Sequence, residues 1–229
     1  MTITATWTIN EYTITFDTQD GTGVDDITEE YNTSVTLPGL DSTTKTGYTF
    51  RGWVLPTGGN PMTTHLLVDD VTLFAIWEIN EYTITLVYGN GQDDKVITQD
   101  YDTEIAAEPN PEKTGYTFVN WDKDIPTRMP AYGMTITATW TINEYTITFD
   151  TQDGTGVDDI TEEYNTSVTL PGLDSTTKTG YTFRGWVLPT GGNPMTTHLL
   201  VDDVTLFAIW EINEYTITLV YGNGQDDKV

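Results

Sequence analysis

The 229-residue sequence predicts a mainly β protein built from small modules in tandem, and three observations carry that expectation. Met1–Val96 reads letter for letter as Met134–Val229, so the chain repeats itself, and self-similarity at a fixed spacing marks a repeat architecture. Short runs alternate large apolar residues with threonine, which is the period of a half-buried strand. Clusters of Gly, Asn, Asp and Pro separate those runs and supply turn chemistry.

A weaker echo divides the unit. Asn10-Glu11-Tyr12-Thr13-Ile14-Thr15 returns from Asn80 and again from Asn143, at spacings of 70 and 63 residues. These spacings place modules at 10–79, 80–142 and 143–212. Residues 1–9 read as the end of a preceding module and 213–229 as the start of a further one. A chain that begins and ends in mid-module is expected of an excerpt from a longer array.

Within a module the elements follow in order. Tyr12–Phe16 places Tyr, Ile and Phe on one parity and threonines on the other, so it reads as a strand with a solvated threonine face. Asp17–Gly23 follows as a turn, and its counterpart near Tyr88 contains Asn90-Gly91, a tight-hairpin signal. Strands are expected around Val24–Tyr31 and Val35–Leu37, closed by Pro38-Gly39. The centre is Lys45-Thr46-Gly47-Tyr48-Thr49-Phe50-Arg51-Gly52-Trp53, with a bend at Gly52, echoed by Lys113–Trp121. After a loop at Pro56–Pro61, a short helical turn is expected over Pro61–Leu67, because proline suits a helix start. The last strand, Val71–Trp77, aligns with Met134–Trp140, so Leu73, Ala75 and Trp77 match Ile136, Ala138 and Trp140 as the core parity.

Composition limits the function. With 35 acidic against 9 basic residues the net charge is −26. The first module carries 11 acids and 2 bases and the second 10 and 4, so the charge runs along the array. Such a field repels nucleic acid and anionic membranes, whose recognition needs clustered Lys and Arg. No stretch approaches the ~18 apolar residues of a membrane span, so direct insertion is not expected of this segment. The absence of cysteine removes disulfides and thiolate metal sites.

The Gly-Tyr-Thr-Phe-x-Gly-Trp centre, followed by a closing strand that ends Ala-x-Trp, resembles the Listeria–Bacteroides repeat, also called the internalin B-type B repeat. Tyr12–Trp77 and Tyr145–Trp210 match over a whole module. Tyr82–Trp140 departs from the pattern, with Asn120 in place of the glycine and a shorter loop. The resemblance implies a small β-grasp-like, α+β module strung in tandem in bacterial surface and secreted proteins, linked to adhesion or to presenting another domain. It implies no catalytic centre.

Only Glu78-Ile79-Asn80-Glu81 separates Trp77 from Tyr82, and four residues without Gly or Pro make no loose tether. Neighbouring modules should therefore touch and form an elongated rod, since a lone module of this size buries little surface. Trp77, Ile79, Asn80, Trp140, Ile142 and Asn143 are the expected inter-module contacts. Phe74 and Ile76 lie on the outward parity of the last strand, facing either a loop or a partner. Adjacent acids such as Asp25-Asp26 point to opposite strand faces and read as solvated surface. Calcium is the alternative, through Asp17, Asp20, Asp25 and Asp26; otherwise no cofactor is expected. Trp7, Trp53, Trp77 and Trp121 could stack sugars, but their strand positions point to core. His65 is read as structural.

The expected function is a non-enzymatic, extracellular stalk or spacer at the cell surface. Repeats that bind identical chains or host and matrix molecules are the alternative, and a calcium- or carbohydrate-binding repeat is the second.

Overall fold

A computed structural model describes residues 1–220; residues 221–229, part of the expected module start at 213–229, lie outside the described residues. The first repeat forms β1 (Glu11–Asp17), β2 (Ile27–Glu30), β3 (Thr33–Thr36), β4 (Tyr48–Val54), β5 (Thr64–Leu67) and β6 (Val71–Ile79). The second forms β7 (Glu81–Val87), β8 (Lys95–Asp100), β9 (Tyr116–Trp121) and β10 (Met134–Ile142). The third forms β11 (Glu144–Asp150), β12 (Ile160–Glu163), β13 (Thr166–Thr169), β14 (Tyr181–Leu188), β15 (Gly191–Met195), β16 (Thr197–Leu200) and β17 (Val204–Ile212).

Each repeat is built on a mixed sheet, in the order β2-β1-β6-β4, then β8-β7-β10-β9, then β12-β11-β17-β14-β15. The first and last strands of a repeat are its central pair and run parallel, from Ile14 opposite Val71 to Asp17 opposite Phe74 in the first. Parallel neighbours need a long crossover, commonly helical. Here the crossover consists of strands, with β3 and β5 forming a separate two-stranded sheet. In the second repeat that pair shrinks to a bridge between Glu104 and Arg128.

No helix occurs among the described residues, which corrects two expectations. The α+β module has no α component there, and the helical turn over Pro61–Leu67 is instead β5. Val35 faces His65 across that small sheet, and along Thr64–Leu67 only Leu67 is buried. Among the described residues no helix is long and apolar enough to cross a membrane.

The core of the first repeat comprises Ile14, Phe16, Val35, Leu37, Phe50, Trp53, Leu67, Leu73 and Ala75, and the third repeats it residue for residue. Trp53 is fully buried. Its ring lies 4.6 Å from Phe16 and 4.9 Å from Phe50, and its Nε1–H donates to the Pro38 carbonyl at 3.0 Å. The bend expected at Gly52 is a register shift between Phe50 and Gly52. Gly52 sits at φ +125°, and a Cβ there would come within 2.8 Å of Pro61. Asn120, its counterpart, does not enter positive φ, and the second repeat lacks the proline loop that demands it.

The chain divides into two compact units, residues 1–110 with 121–138 and residues 111–120 with 139–229, so the middle repeat contributes to both.

Candidate functional site at the module junctions

No loop intervenes between consecutive repeats: β6 ends at Ile79 and β7 starts at Glu81, leaving Asn80 between them. That one residue bonds in both directions. Its N–H donates to the Gly47 carbonyl at 2.9 Å, and its own carbonyl accepts the Tyr101 N–H at 2.8 Å. Its side-chain Oδ1 accepts the Thr49 hydroxyl at 2.6 Å, and its Nδ2 donates to the Tyr82 hydroxyl at 3.3 Å. Gly47 and Thr49 belong to the earlier repeat, Tyr82 and Tyr101 to the later.

Tyr101 lies over Gly47, where a Cβ would fall 2.1 Å from its ring, and meets Tyr48 edge-on at 6.1 Å. Gly47 stands at φ +80°, so glycine is required twice: for the turn and for the ring's approach.

The next junction, inside the other compact unit, repeats these bonds. The Asn143 N–H donates to the Gly115 carbonyl at 2.9 Å, and the Asn143 carbonyl accepts the Tyr164 N–H at 2.8 Å. Thr117 donates to Asn143 Oδ1 at 2.6 Å. Tyr164 covers Gly115 and sits 6.4 Å from Tyr116 and 6.3 Å from Tyr145. Asn213 makes the first half of the pattern, donating to Gly180 at 2.8 Å and accepting from Thr182 at 2.6 Å. Nothing lies within 4 Å of a Cβ at Gly180.

The other expected junction residues take different places. Trp77 turns into its own repeat, packing on Phe50 at 5.2 Å and donating to the Thr18 carbonyl at 2.9 Å. Trp140 packs on Phe118 at 5.6 Å, with Lys113 Nζ 5.7 Å from its ring. Ile79 is exposed and Ile142 half-buried, as are Phe74 and Ile76. Trp53 is core as expected, but Trp7, expected as core too, is exposed, because residues 1–9 lie outside any sheet.

The four calcium candidates do not gather. Asp17 Oδ1 accepts the Gln19 N–H at 3.0 Å, Asp20 lies 3.9 Å from Lys45 Nζ, and Asp26 accepts from Thr15 at 3.5 Å. Asp25 is exposed. No group of three or more His, Cys, Asp or Glu converges as a metal site among the described residues.

Sequence reasoning passed over three things. The tyrosines Tyr101 and Tyr164 were legible only as recurrences after the second strand of each module. Asp70 belongs to an acidic pair read as surface, yet its carboxylate accepts the Thr13 N–H at 2.8 Å, as Asp203 does for Thr146. The middle repeat also holds a polar trio. Glu108, its side chain 7% exposed, accepts from Lys95 at 2.5 Å and from the Tyr88 hydroxyl at 2.5 Å. Burial pushes the Tyr88 phenol up to about 12, helped by its hydrogen bond to Glu108 and by the carboxylate's charge. Burial works to raise the Glu108 carboxyl, but the bonds from Lys95 and Tyr88 and the lysine's charge together hold it below its ordinary value.

Comparison with known proteins matches the Listeria-Bacteroides repeat domain to residues 12–76, 82–139 and 145–209. A protein of Evansella cellulosilytica named "Putative membrane protein" is 31% identical over 95% of this chain and 34% of its own length. A second from that organism, "Putative Gly-rich membrane protein", is 32% identical over 97% of the chain and 28% of its own length. Internalin H of Listeria monocytogenes is 36% identical over 44% of the chain and 20% of its own length. The chain thus spans about a third or less of these relatives. Three whole-module matches along one chain leave no doubt of kinship: it belongs to the Listeria-Bacteroides repeat family.

Proposed function

We propose that this chain is a non-enzymatic spacer in a bacterial surface or secreted protein, its modules clamped end to end as a semi-rigid rod that holds another part of the protein away from the cell. The observation that supports this most is the doubly bonded asparagine. Asn80 and Asn143 join their neighbours through the same donors and acceptors, where a flexible linker would serve a tether. Relatives named as membrane proteins and an internalin agree with an extracellular place.

Single-molecule distance measurements across residues 20 and 158 test the reading. Asn80→Gly with Asn143→Gly should broaden the distance distribution while circular dichroism keeps the repeats folded. An unchanged distribution overturns the clamp.

A second reading, lateral self-association or adhesion to host or matrix molecules, is favoured by a recurring exposed apolar set. Leu40, Leu66 and Val68 return as Leu173, Leu199 and Val201, all exposed. Polar substitution of all six should leave solubility and binding unchanged under the spacer reading and abolish binding under this one.

A further inference from the structure

The loops that follow the first strand of each repeat differ at one aligned pair of residues. Asn90-Gly91 in the second repeat stands where the first has Asp20-Gly21 and the third Asp153-Gly154. In the first and third repeats that glycine is wedged. A Cβ at Gly21 would fall 2.5 Å from the Trp77 ring and 2.7 Å from Thr43 Oγ1, and Gly154 is held likewise under Trp210 and Thr176. Their N–H groups are engaged as well, Gly21 donating to the Thr18 carbonyl and Gly154 to the Thr151 carbonyl, each at 3.0 Å.

Gly91 has neither restraint. Nothing lies within 4 Å of a Cβ there, and among the described residues no backbone carbonyl accepts its N–H. Gly91–Asp94 is exposed, and glycine itself puts no side chain in the way of its own nitrogen. The group beside that nitrogen is prepared for attack. Asn90 Oδ1 accepts the Gln92 N–H at 3.1 Å, the local bond that asparagine makes in turns. A donor therefore already sits on the oxygen that gains negative charge when a nucleophile adds to Asn90 Cγ.

We propose that Asn90-Gly91 is a self-modifying site, at which the Gly91 backbone nitrogen displaces the side-chain amide of Asn90. The bond from nitrogen to Cγ forms, the Gly91 amide proton passes through solvent to the leaving nitrogen, and ammonia departs. Water then opens the cyclic imide at either carbonyl, giving aspartate or isoaspartate, with no oxidant or reductant involved. Either product adds a carboxylate beside Asp93 and Asp94. Isoaspartate also reroutes the main chain through the side-chain carbon. Tyr88 and Lys95 flank the loop and both bond to Glu108 at 2.5 Å, so the loop is pinned at its ends and β7 and β8 keep their pairing. The inference does not rest on the spacer reading.

Asn223-Gly224 carries the same dipeptide outside the described residues, so the test uses the full chain with Asn223→Gln. After incubation at mildly alkaline pH, tryptic peptide 52–95 should show the amide-to-acid mass gain at Asn90, with isoaspartate detected by enzymatic carboxyl methylation. The folded chain should convert within a few-fold of the isolated peptide, while its circular dichroism stays unchanged. An Asn90 that stays intact as the peptide converts overturns the proposal. Adding Asp20→Asn places the same dipeptide in the wedged loop of the first repeat, where conversion should lag several-fold behind Asn90. Equal rates at the two positions would overturn the proposal too, because the open setting of Gly91 would then confer nothing.

Discussion

Gly47 and Gly180 are the same letter in the same turn, both at φ +80°, but only Gly47 lies beneath a tyrosine ring. An alanine at either position pays for the left-handed backbone, about 1–2 kcal/mol. At Gly47 it must also displace Tyr101, a further cost of roughly 1–3 kcal/mol by analogy with overpacked sites. Urea unfolding of Gly47→Ala and Gly180→Ala should therefore differ by that second amount, and equal losses would mean that Tyr101 adds nothing to the junction. The Lys95–Glu108–Tyr88 trio gives the middle repeat its own pH dependence. Glu108 has its folded pKa depressed, so its contribution is present above the ordinary 4.5 and is lost as pH falls through the lower folded value. Tyr88 is raised from 10.0 to about 12, so its contribution is complete below 10.0 and is lost as pH rises towards about 12. Melting curves of Glu108→Gln against pH should lack the acid arm and keep a reduced alkaline arm, because the burial of Tyr88, the larger cause of its rise, remains; an identical profile would remove Glu108 from the account.

Strands carry different shares of a repeat's stability, and β4 carries a large one through Trp53. Trp53→Ala should cost about 3–5 kcal/mol, which is most of what a single module of this size can hold. Loss of cooperative melting for the first repeat, with the identical third repeat as internal reference, would confirm it; a shift of only a few degrees would not. Asp70 ties the β5–β6 turn to β1, so Asp70→Ala should cost about 1 kcal/mol after allowance for exposure. Hydrogen exchange at Thr13 would report the loss. These elements also mark what the sequence could tell. Alternation in Tyr12–Phe16 and Val71–Trp77 announces β1 and β6, because a half-buried strand writes its period into the letters. Their parallel pairing is not written there, since it depends on a crossover from Asp17 to Val71 whose course no local pattern fixes. β5 was misread because Leu66 and Leu67 stand side by side and hide the alternation, although one is exposed and the other buried. At the junction, the four-residue spacing made Asn80 and Asn143 candidates. The tyrosines that complete the clamp come from 21 residues further along, beyond any local signal. Trp77 and Trp140 looked like junction residues from their place beside the linker, yet a strand's parity turned them inward.

At the scale of the whole molecule, charge and junction pull in opposite directions. The proposed clamp would hold acidic modules side by side, and 35 acids against 9 bases leave most carboxylates without a cationic partner. Most of the ion pairs that do form have solvent-exposed members, such as Arg51–Glu78 and Arg128–Asp102. Exposed pairs contribute about 0–1 kcal/mol each, so salt that weakens them removes little. The same salt shortens the range of repulsion among the surplus acids, to about 8 Å at 0.15 M, and that repulsion acts across every repeat. The second effect should win. The melting temperature of the chain is expected to rise as sodium chloride is increased from low ionic strength to about 0.15 M and then level off as the screening length falls below the spacing of neighbouring acids. A falling melting temperature would mean that the few pairs, Lys95–Glu108 foremost, outweigh the surplus. A flat response would mean that the carboxylates are already too far apart to repel one another. The rise should also be steeper for the clamped chain than for Asn80→Gly with Asn143→Gly, because released modules can move their acidic faces apart without salt.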